Sequence, residues 1–299
     1  MFISAIEKAA QFTRPIHTIM RTYGGKQLLP GAATIFFVNS EGYAVTCKHV
    51  IEMLANADHI NNQFTEFKKE KQSITNHPKF KQLLKGLELK YKYQPDTVVQ
   101  IKNNFIDSVD SLSGFTWHLH PTLDLAILKF NDFKKIHYGK PAQFLKDHDA
   151  IKQGKFLCRL GFPFAEFSNY TYNTATDDIE WTQTGNQLSP MFPLEGMVTR
   201  LLGDNANGIY GIEMSTPGLR GQSGGPLFNE QGVVYGMQYS TKHLHLGFDL
   251  IDKEIMVNNG IKKVTDYSFI HLGQCINASS IKSFLQEKGV AYHEVNSMA

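Results

Sequence analysis

Apolar positions change their spacing several times along the chain. Over residues 1–12, Phe2, Ile3, Ile6, Ala9 and Ala10 recur at helical spacing. They predict a short amphipathic helix within an N-terminal extension of residues 1–14. From residue 15 the texture becomes that of strands. Residues 15–20, 33–38 and 43–46 are β-rich runs, set off by Gly24-Gly25, Gly31 and the turn residues 39–42. Residues 52–93 break this texture, being rich in Lys, Glu, Gln and Leu with few glycines. They predict helices inserted between strands. Strand texture returns at 97–101, 115–118 and 125–130, and the first half (15–145) closes there. A second strand-rich half (146–278) has its clearest strands at 156–160, 196–199, 209–214 and 232–238. In the closing segment 279–299, residues 279–289 carry a Ser start, an apolar stripe and a Gly stop, which predict a C-terminal helix.

Composition narrows the class. The 299 residues are 42% hydrophobic and 19% charged, as in an ordinary globular protein. That excludes wholesale disorder, collagen-like repeats and coiled coil. A net charge of +2 is too small for a dedicated nucleic-acid binder, so no nucleic-acid partner is expected. The run Lys68-Lys69-Glu70-Lys71 reads as a solvated helix face. Three cysteines, Cys47, Cys158 and Cys275, do not make a disulfide framework and favour a reducing compartment. The N-terminus lacks a basic segment followed by an apolar core. No run approaches the roughly 18 apolar residues of a membrane span. The expectation is a soluble protein, cytoplasmic or exported without a cleavable signal.

Three segments carry candidate chemistry. Thr46-Cys47-Lys48-His49-Val50 ends a strand and begins a helix. Thr122-Leu123-Asp124-Leu125-Ala126 places an acid at the head of an apolar strand. Leu219-Arg220-Gly221-Gln222-Ser223-Gly224-Gly225-Pro226 sets a serine in a glycine-rich turn. A serine hydroxyl needs an adjacent base to become a nucleophile, and histidine is the natural base near neutral pH. A carboxylate then holds the imidazole in the productive tautomer. The glycines would let a substrate reach the backbone N–H groups of Gly221 and Ser223, which could hold a developing oxyanion. The order His, Asp, Ser differs from the α/β-hydrolase and subtilisin orders and fits the chymotrypsin-like one.

These three blocks together resemble the trypsin-like, chymotrypsin-fold serine proteases. Within them the chain is most similar to the bacterial high-temperature-requirement branch, with its T-N-x-H-V, D-L-A-x-L and G-N-S-G-G-P-L motifs. The resemblance implies an all-β fold of two packed six-stranded β-barrels, here enlarged by the helical insertion and the C-terminal helix. It implies a serine endopeptidase with catalytic His49, Asp124 and Ser223 and an oxyanion hole of Gly221 and Ser223. Its partner would be a protein or peptide substrate, and no cofactor or metal is implied.

Departures from the family pattern are informative. Gln222 stands where vertebrate-type members carry the Asp that receives a new N-terminus, so zymogen activation is not expected. Pro217 occupies the position of the trypsin-type S1 acid. The S1 walls align with Thr216, Pro217, Gly218, Leu219, Gln238, Tyr239 and Ser240, which suggests an uncharged P1 residue, small to medium or apolar. About ten residues follow the last helix, so no appended PDZ domain is expected. The segment 52–93 could gate substrate access or bind a regulatory partner. The alternative reading is therefore a conditionally active or inactive peptide-binding module controlled there.

Other residues carry competing readings. His118/His120 and His243/His245 each share a strand face and could meet at a metal, or could be surface histidines. Cys47 reads as a small apolar residue behind the triad, with a reactive thiol as the alternative. Phe162, Phe164, Phe167, Tyr170 and Tyr172 fill core or wall a substrate cleft. Asp177, Asp178 and Glu180 read as a solvated turn, and Arg220 as an anchor for the oxyanion turn.

Overall fold

A computed structural model describes residues 2–25, 27–147, 150–205, 208–258 and 260–296. Helix α1 (Ile3–Phe12) leads directly into strand β1 (Thr13–Thr22). β1 pairs antiparallel with β2 (Leu28–Phe37), and β2 with β3 (Tyr43–Thr46). The turn between β2 and β3 is held by Asn39, whose Oδ1 accepts the Glu41 N–H at 3.0 Å and the Tyr43 N–H at 3.3 Å. With β4 (Val98–Phe105), β5 (Gly114–Leu119) and β6 (Ala126–Asn131) they form a six-stranded sheet in the order β4-β1-β2-β3-β6-β5.

The later strands are β7 (Gln143–Leu145), β8 (Phe156–Gly161), β9 (Tyr170–Asn173), β10 (Asp178–Trp181), β11 (Phe192–Asp204) and β12 (Gly208–Met214). They continue with β13 (Pro226–Phe228), β14 (Val234–Val257), β15 (Gly260–Asn277) and β16 (His293–Val295). The order β13-β8-β11-β12-β15-β14, with β13 also pairing to β14, is a closed ring of six strands. Closure leaves this sheet without a bare edge along the ring. The molecule is thus mostly β, with two barrel-like sheets, in keeping with the chymotrypsin-like fold. β7 lies in the first half by sequence but pairs with β14 of the second and with β16 of the closing segment.

The insertion is a helical hairpin, α2 (Lys48–Ile74) and α3 (Phe80–Tyr91). α2 starts before residue 52, so His49 sits in its first turn. Phe64 and Phe67 of α2 bury against Tyr93 and Val99, which fastens the hairpin to β4. The last helix is α4 (Ala278–Glu287), and its cap is Asn277 rather than a serine. The Asn277 Oδ1 accepts the Ser280 N–H at 2.9 Å.

One apolar cluster unites the molecule. It takes Phe36 and Val45 from the first sheet and Phe228 and Ile276 from the second. Phe12 of α1 and Phe284 of α4 complete it. The acidic turn is also structural, not merely solvated. Asp177 forms an ion pair with Arg21 at 2.9 Å and accepts the Tyr172 hydroxyl at 2.6 Å. Asp178 accepts Gln100 at 2.7 Å and Lys102 at 3.1 Å. These bonds hold the β9–β10 hairpin on β1 and β4. Lys68, expected on a solvated face, donates to the Thr176 and Asp177 carbonyls at 3.1 and 3.2 Å.

β14 and β15 run well past the barrel as a two-stranded ribbon whose outer residues are mostly exposed. Its register continues to Val257↔Gly260. Among the described residues no helix is long and apolar enough to cross a membrane.

Candidate active site

β3 ends at Thr46, and Cys47 is the extended residue that starts α2. The first amides of a helix have no partner within it and favour an anion. Asp124, in the loop between β5 and β6, supplies one. Its Oδ1 accepts the His49 backbone N–H at 3.0 Å, and its Oδ2 lies 2.7 Å from His49 Nδ1. Burial works to raise the Asp124 carboxyl, but the bonds from the His49 ring, the His49 amide and the Lys48 amide outweigh it. The group is held below the usual carboxylate range and stays ionised.

His120 shapes the loop that carries Asp124. Its Nδ1 accepts the Leu123 N–H at 3.0 Å and the Thr122 N–H at 3.3 Å. A ligand position is thereby occupied, and His118 of β5 and His120 just beyond it form no metal-holding group with His243 and His245 of β14. His243 instead faces His271 across the ribbon, with their Nδ1 atoms 2.5 Å apart. His245 bonds Asp249 at 2.6 Å.

Ser223 sits at the junction of two turns. The Gln222 N–H donates to the Leu219 carbonyl at 3.0 Å, and the Gly225 N–H to the Gln222 carbonyl at 2.8 Å. The third residue of each turn is a glycine with positive φ, Gly221 at 91° and Gly224 at 87°. That is the type II turn, whose third position only glycine adopts readily. Arg220 and Ser223 occupy the second positions. A Cβ on Gly221 would also collide with the Phe162 carbonyl, and one on Gly224 with the Thr34 carbonyl. Local sequence therefore fixes the turns, and tight packing fixes their place.

Three side chains hold this double turn. Gln222 is fully buried: its Oε1 accepts the Leu219 N–H at 3.1 Å and its Nε2 donates to the Phe192 carbonyl at 3.2 Å. The Thr34 hydroxyl donates to the Gly221 carbonyl at 2.7 Å and accepts the Phe162 N–H at 3.2 Å. The Thr46 hydroxyl donates to the Thr34 carbonyl at 2.8 Å. Backbone bonds complete the junction: Thr34 N–H to the Ser223 carbonyl at 3.0 Å, and Gly224 N–H to the Gln238 carbonyl at 2.9 Å. Arg220, expected as the anchor, is exposed on the cleft rim.

His49 and Ser223 open into one cleft of about 560 Å³. Its walls include Pro217, Gly218 and Leu219 on one side and Gln238, Tyr239 and Ser240 on the other. Thr216 is not among the lining residues, and its hydroxyl donates to the Glu195 carbonyl at 3.0 Å. The Thr241 hydroxyl donates to the Gly218 carbonyl at 2.7 Å and ties the walls together. His243, His271 and Thr241, which the motifs did not point to, also line the cleft.

Cys47 is fully buried, and its thiol donates to the Gln238 carbonyl at 3.4 Å. Ligand atoms of Cys47, His49 and Asp124 lie within 4.8 Å of one another. Burial, with Asp124 nearby, drives the Cys47 thiol well above its ordinary range. It is therefore a neutral thiol, whereas a metal would take the thiolate. Of the aromatic residues from 162 to 172, Phe162 and Phe167 are buried, and Phe167 packs with Ile19 and Ile179. They fill core beside the cleft rather than wall it.

A family described as the trypsin-like peptidase domain matches residues 33–237. No match was found among curated proteins. Among solved structures, the chain is similar to the HtrA-type protease AlgW with decapeptide, at 15% identity over 96% of this chain and 67% of that one, with a TM-score of 0.48. It is also similar to AlgW with tripeptide, at 16% identity over 97% of this chain and 65% of that one, with a TM-score of 0.46. Against a further tripeptide-bound form the chain spans 63% of that protein's length. The family match covers more than half of this sequence, from within β2 to the start of β14, and by it the chain belongs to the trypsin-like peptidase family.

Proposed function

We propose that this chain is a serine endopeptidase working through an acyl-enzyme. The observation that carries the reading is the paired bond from Asp124 to His49, on the cleft that Ser223 shares. In this mechanism Ser223 Oγ attacks the substrate carbonyl carbon while His49 Nε2 takes the hydroxyl proton. Asp124 keeps the ring proton on Nδ1 and stabilises the imidazolium that forms. The carbonyl oxygen becomes an oxyanion, held by the N–H groups of Gly221 and Ser223. His49 then gives its proton to the leaving amine. Water repeats the sequence on the acyl-enzyme, and Ser223 regains its proton.

The type II form of the turn at Gly221 favours an active protease over one awaiting a partner. Flipping the Arg220–Gly221 peptide would turn it into a type I turn and remove the positive φ at Gly221. Gln222 supports the turn from within, so this mechanism requires no newly cut N-terminus.

The test is labelling with a fluorophosphonate probe. Wild type is expected to be labelled at Ser223, and Ser223→Ala to be unlabelled. A folded wild type that resists the probe across pH 6–9 would overturn the reading.

A further inference from the structure

Arg159 stands alone in an apolar strand. β8 reads Phe156-Leu157-Cys158-Arg159-Leu160-Gly161, and Leu157 and Leu160 are fully buried. Arg159 is fully buried too, and is the largest such side chain among the described residues. A buried guanidinium is ordinarily matched by a carboxylate, because an unmatched charge is strongly disfavoured in the interior. Here the bonded partners are uncharged. Nη1 donates to Gln238 Oε1 at 2.7 Å, and Nη2 to the Thr216 carbonyl at 3.0 Å and hydroxyl at 2.5 Å. Nε is buried with no partner. Burial pulls the guanidinium down from its ordinary range, as expected for a cation without a counter-ion.

The place of this charge matters. Gly273 leaves the space that the guanidinium fills, since a Cβ there would strike Arg159 Nη1. Of its partners, Gln238 is a wall residue of the cleft and Thr216 directly precedes the other wall at Pro217. Gln238 Nε2 donates to the Ser240 carbonyl at 2.6 Å, and the side chain lies against Gly218. The Gln238 amide thus joins the cation to the cleft wall: its nitrogen lies on the side of Gly218 and Ser240, and its oxygen is a neutral acceptor for Arg159 where a carboxylate oxygen could be. None of the residues lining the cleft is Asp or Glu, and Arg220 adds a second positive charge at its rim.

We propose that the S1 subsite of this cleft takes an acidic P1 side chain, with Arg159 as its buried positive floor. The proposal rests on the reading of the cleft as a peptidase site, and it replaces the uncharged P1 suggested by the wall residues alone. The substrate carboxylate takes over the place of the Gln238 amide oxygen and supplies the missing counter-charge. Glutamate and glutamine nearly match in shape, so charge is what separates them.

Acetyl-tripeptides ending in Glu, Gln, Leu or Lys place their last residue as P1 and bind without turnover. Their affinities are measured on the Ser223→Ala protein, while fluorophosphonate labelling of wild type reports the nucleophile separately. The Glu peptide is expected to bind at least tenfold more tightly than the Gln and Leu peptides. Arg159→Met should bring the Glu and Gln affinities within twofold of each other. Should Arg159→Met fail to fold, the Glu-to-Gln and Glu-to-Leu ratios on Ser223→Ala decide alone. Equal or tighter binding of Gln, Leu or Lys, or no binding of any peptide, overturns the proposal. Labelled wild type with Leu-selective binding removes the acidic subsite and leaves the peptidase. Unlabelled wild type with Glu-selective binding removes the peptidase and leaves the acidic subsite.

Discussion

The Thr34 hydroxyl, on a strand of the first barrel, donates to the Gly221 carbonyl of the second at 2.7 Å. The same oxygen accepts the Phe162 N–H. One side chain thus sets the tilt of the turn whose N–H groups would face an oxyanion. Thr34→Val keeps the shape and removes both bonds. A hydrogen bond contributes about 1 kcal/mol net, so kcat is expected to fall roughly fivefold with KM little changed. Steady-state kinetics on a cleaved peptide would check this. A change in KM alone would show that Thr34 does not act on the oxyanion turn.

Asp124→Asn separates two tasks of one carboxylate. Asparagine keeps an oxygen for the His49 backbone N–H, so the start of α2 should survive. It can present an NH2 to Nδ1, which favours the wrong tautomer of the ring. The expected result is an unchanged melting temperature within a few degrees and a fall in kcat of about 10⁴-fold. Loss of folding together with activity would mean that the carboxylate chiefly serves the helix.

His17 predicts an acid-sensitive fold. Its ring is fully buried, stacks on Phe167 at a centroid distance of 4.0 Å, and lies 2.9 Å from Ser189 Oγ through Nε2. Burial lowers its pKa from 6.5 to about 4. Between those values the unfolded chain binds a proton that the folded chain refuses, so stability falls as pH falls. The loss should begin near pH 6.5 and reach about 3 kcal/mol near pH 4. Urea unfolding at pH 7, 6 and 5 would read the slope. His17→Asn should flatten it, and an unchanged slope in that variant would assign the effect elsewhere.

The helical insertion is built into the fold rather than hung from it. Phe67 is buried among Tyr23, Tyr91 and Tyr93, with ring centroids 5.5, 5.4 and 4.9 Å away. Phe67→Ala should lower stability by roughly 3–5 kcal/mol. It should leave kcat/KM at 25 °C within twofold, because none of the residues lining the cleft comes from 52–93. Calorimetry and kinetics on one preparation would test both. A large change in kcat/KM without destabilisation would point to gating by the insertion.

The sequence carried much of this in its local signals. The motifs around His49, Asp124 and Ser223 are short segments whose conformations follow from their own residues, such as glycine at the third position of each turn. Alternating apolar runs marked most strands. What escaped was non-local. Thr34 is one threonine among several, and only the packing of two barrels brings it to Gly221. Residues 156–160 read only as a strand, and the place of Arg159 beside Thr216 and Gln238 depends on how β8, β14 and β15 meet. The outer ribbon was missed because residues 239–270 mix charged and apolar positions without a clean alternation. The acidic turn at 177–180 looked solvated because its partners, Arg21, Gln100 and Lys102, are far away in sequence.

Helix α4 and Val290 belong to the same core as Phe36 and Val45. A ribosome must therefore make nearly all of this sequence before that core can close. Until then the first barrel has apolar surface waiting for a segment not yet synthesised, and a growing chain depends on whatever shields that surface in the meantime. α4 and Val290 complete the core against which the β2 strand of Thr34 is packed. Arrival of α4 thus sets the earliest moment at which the cleft can take its final shape.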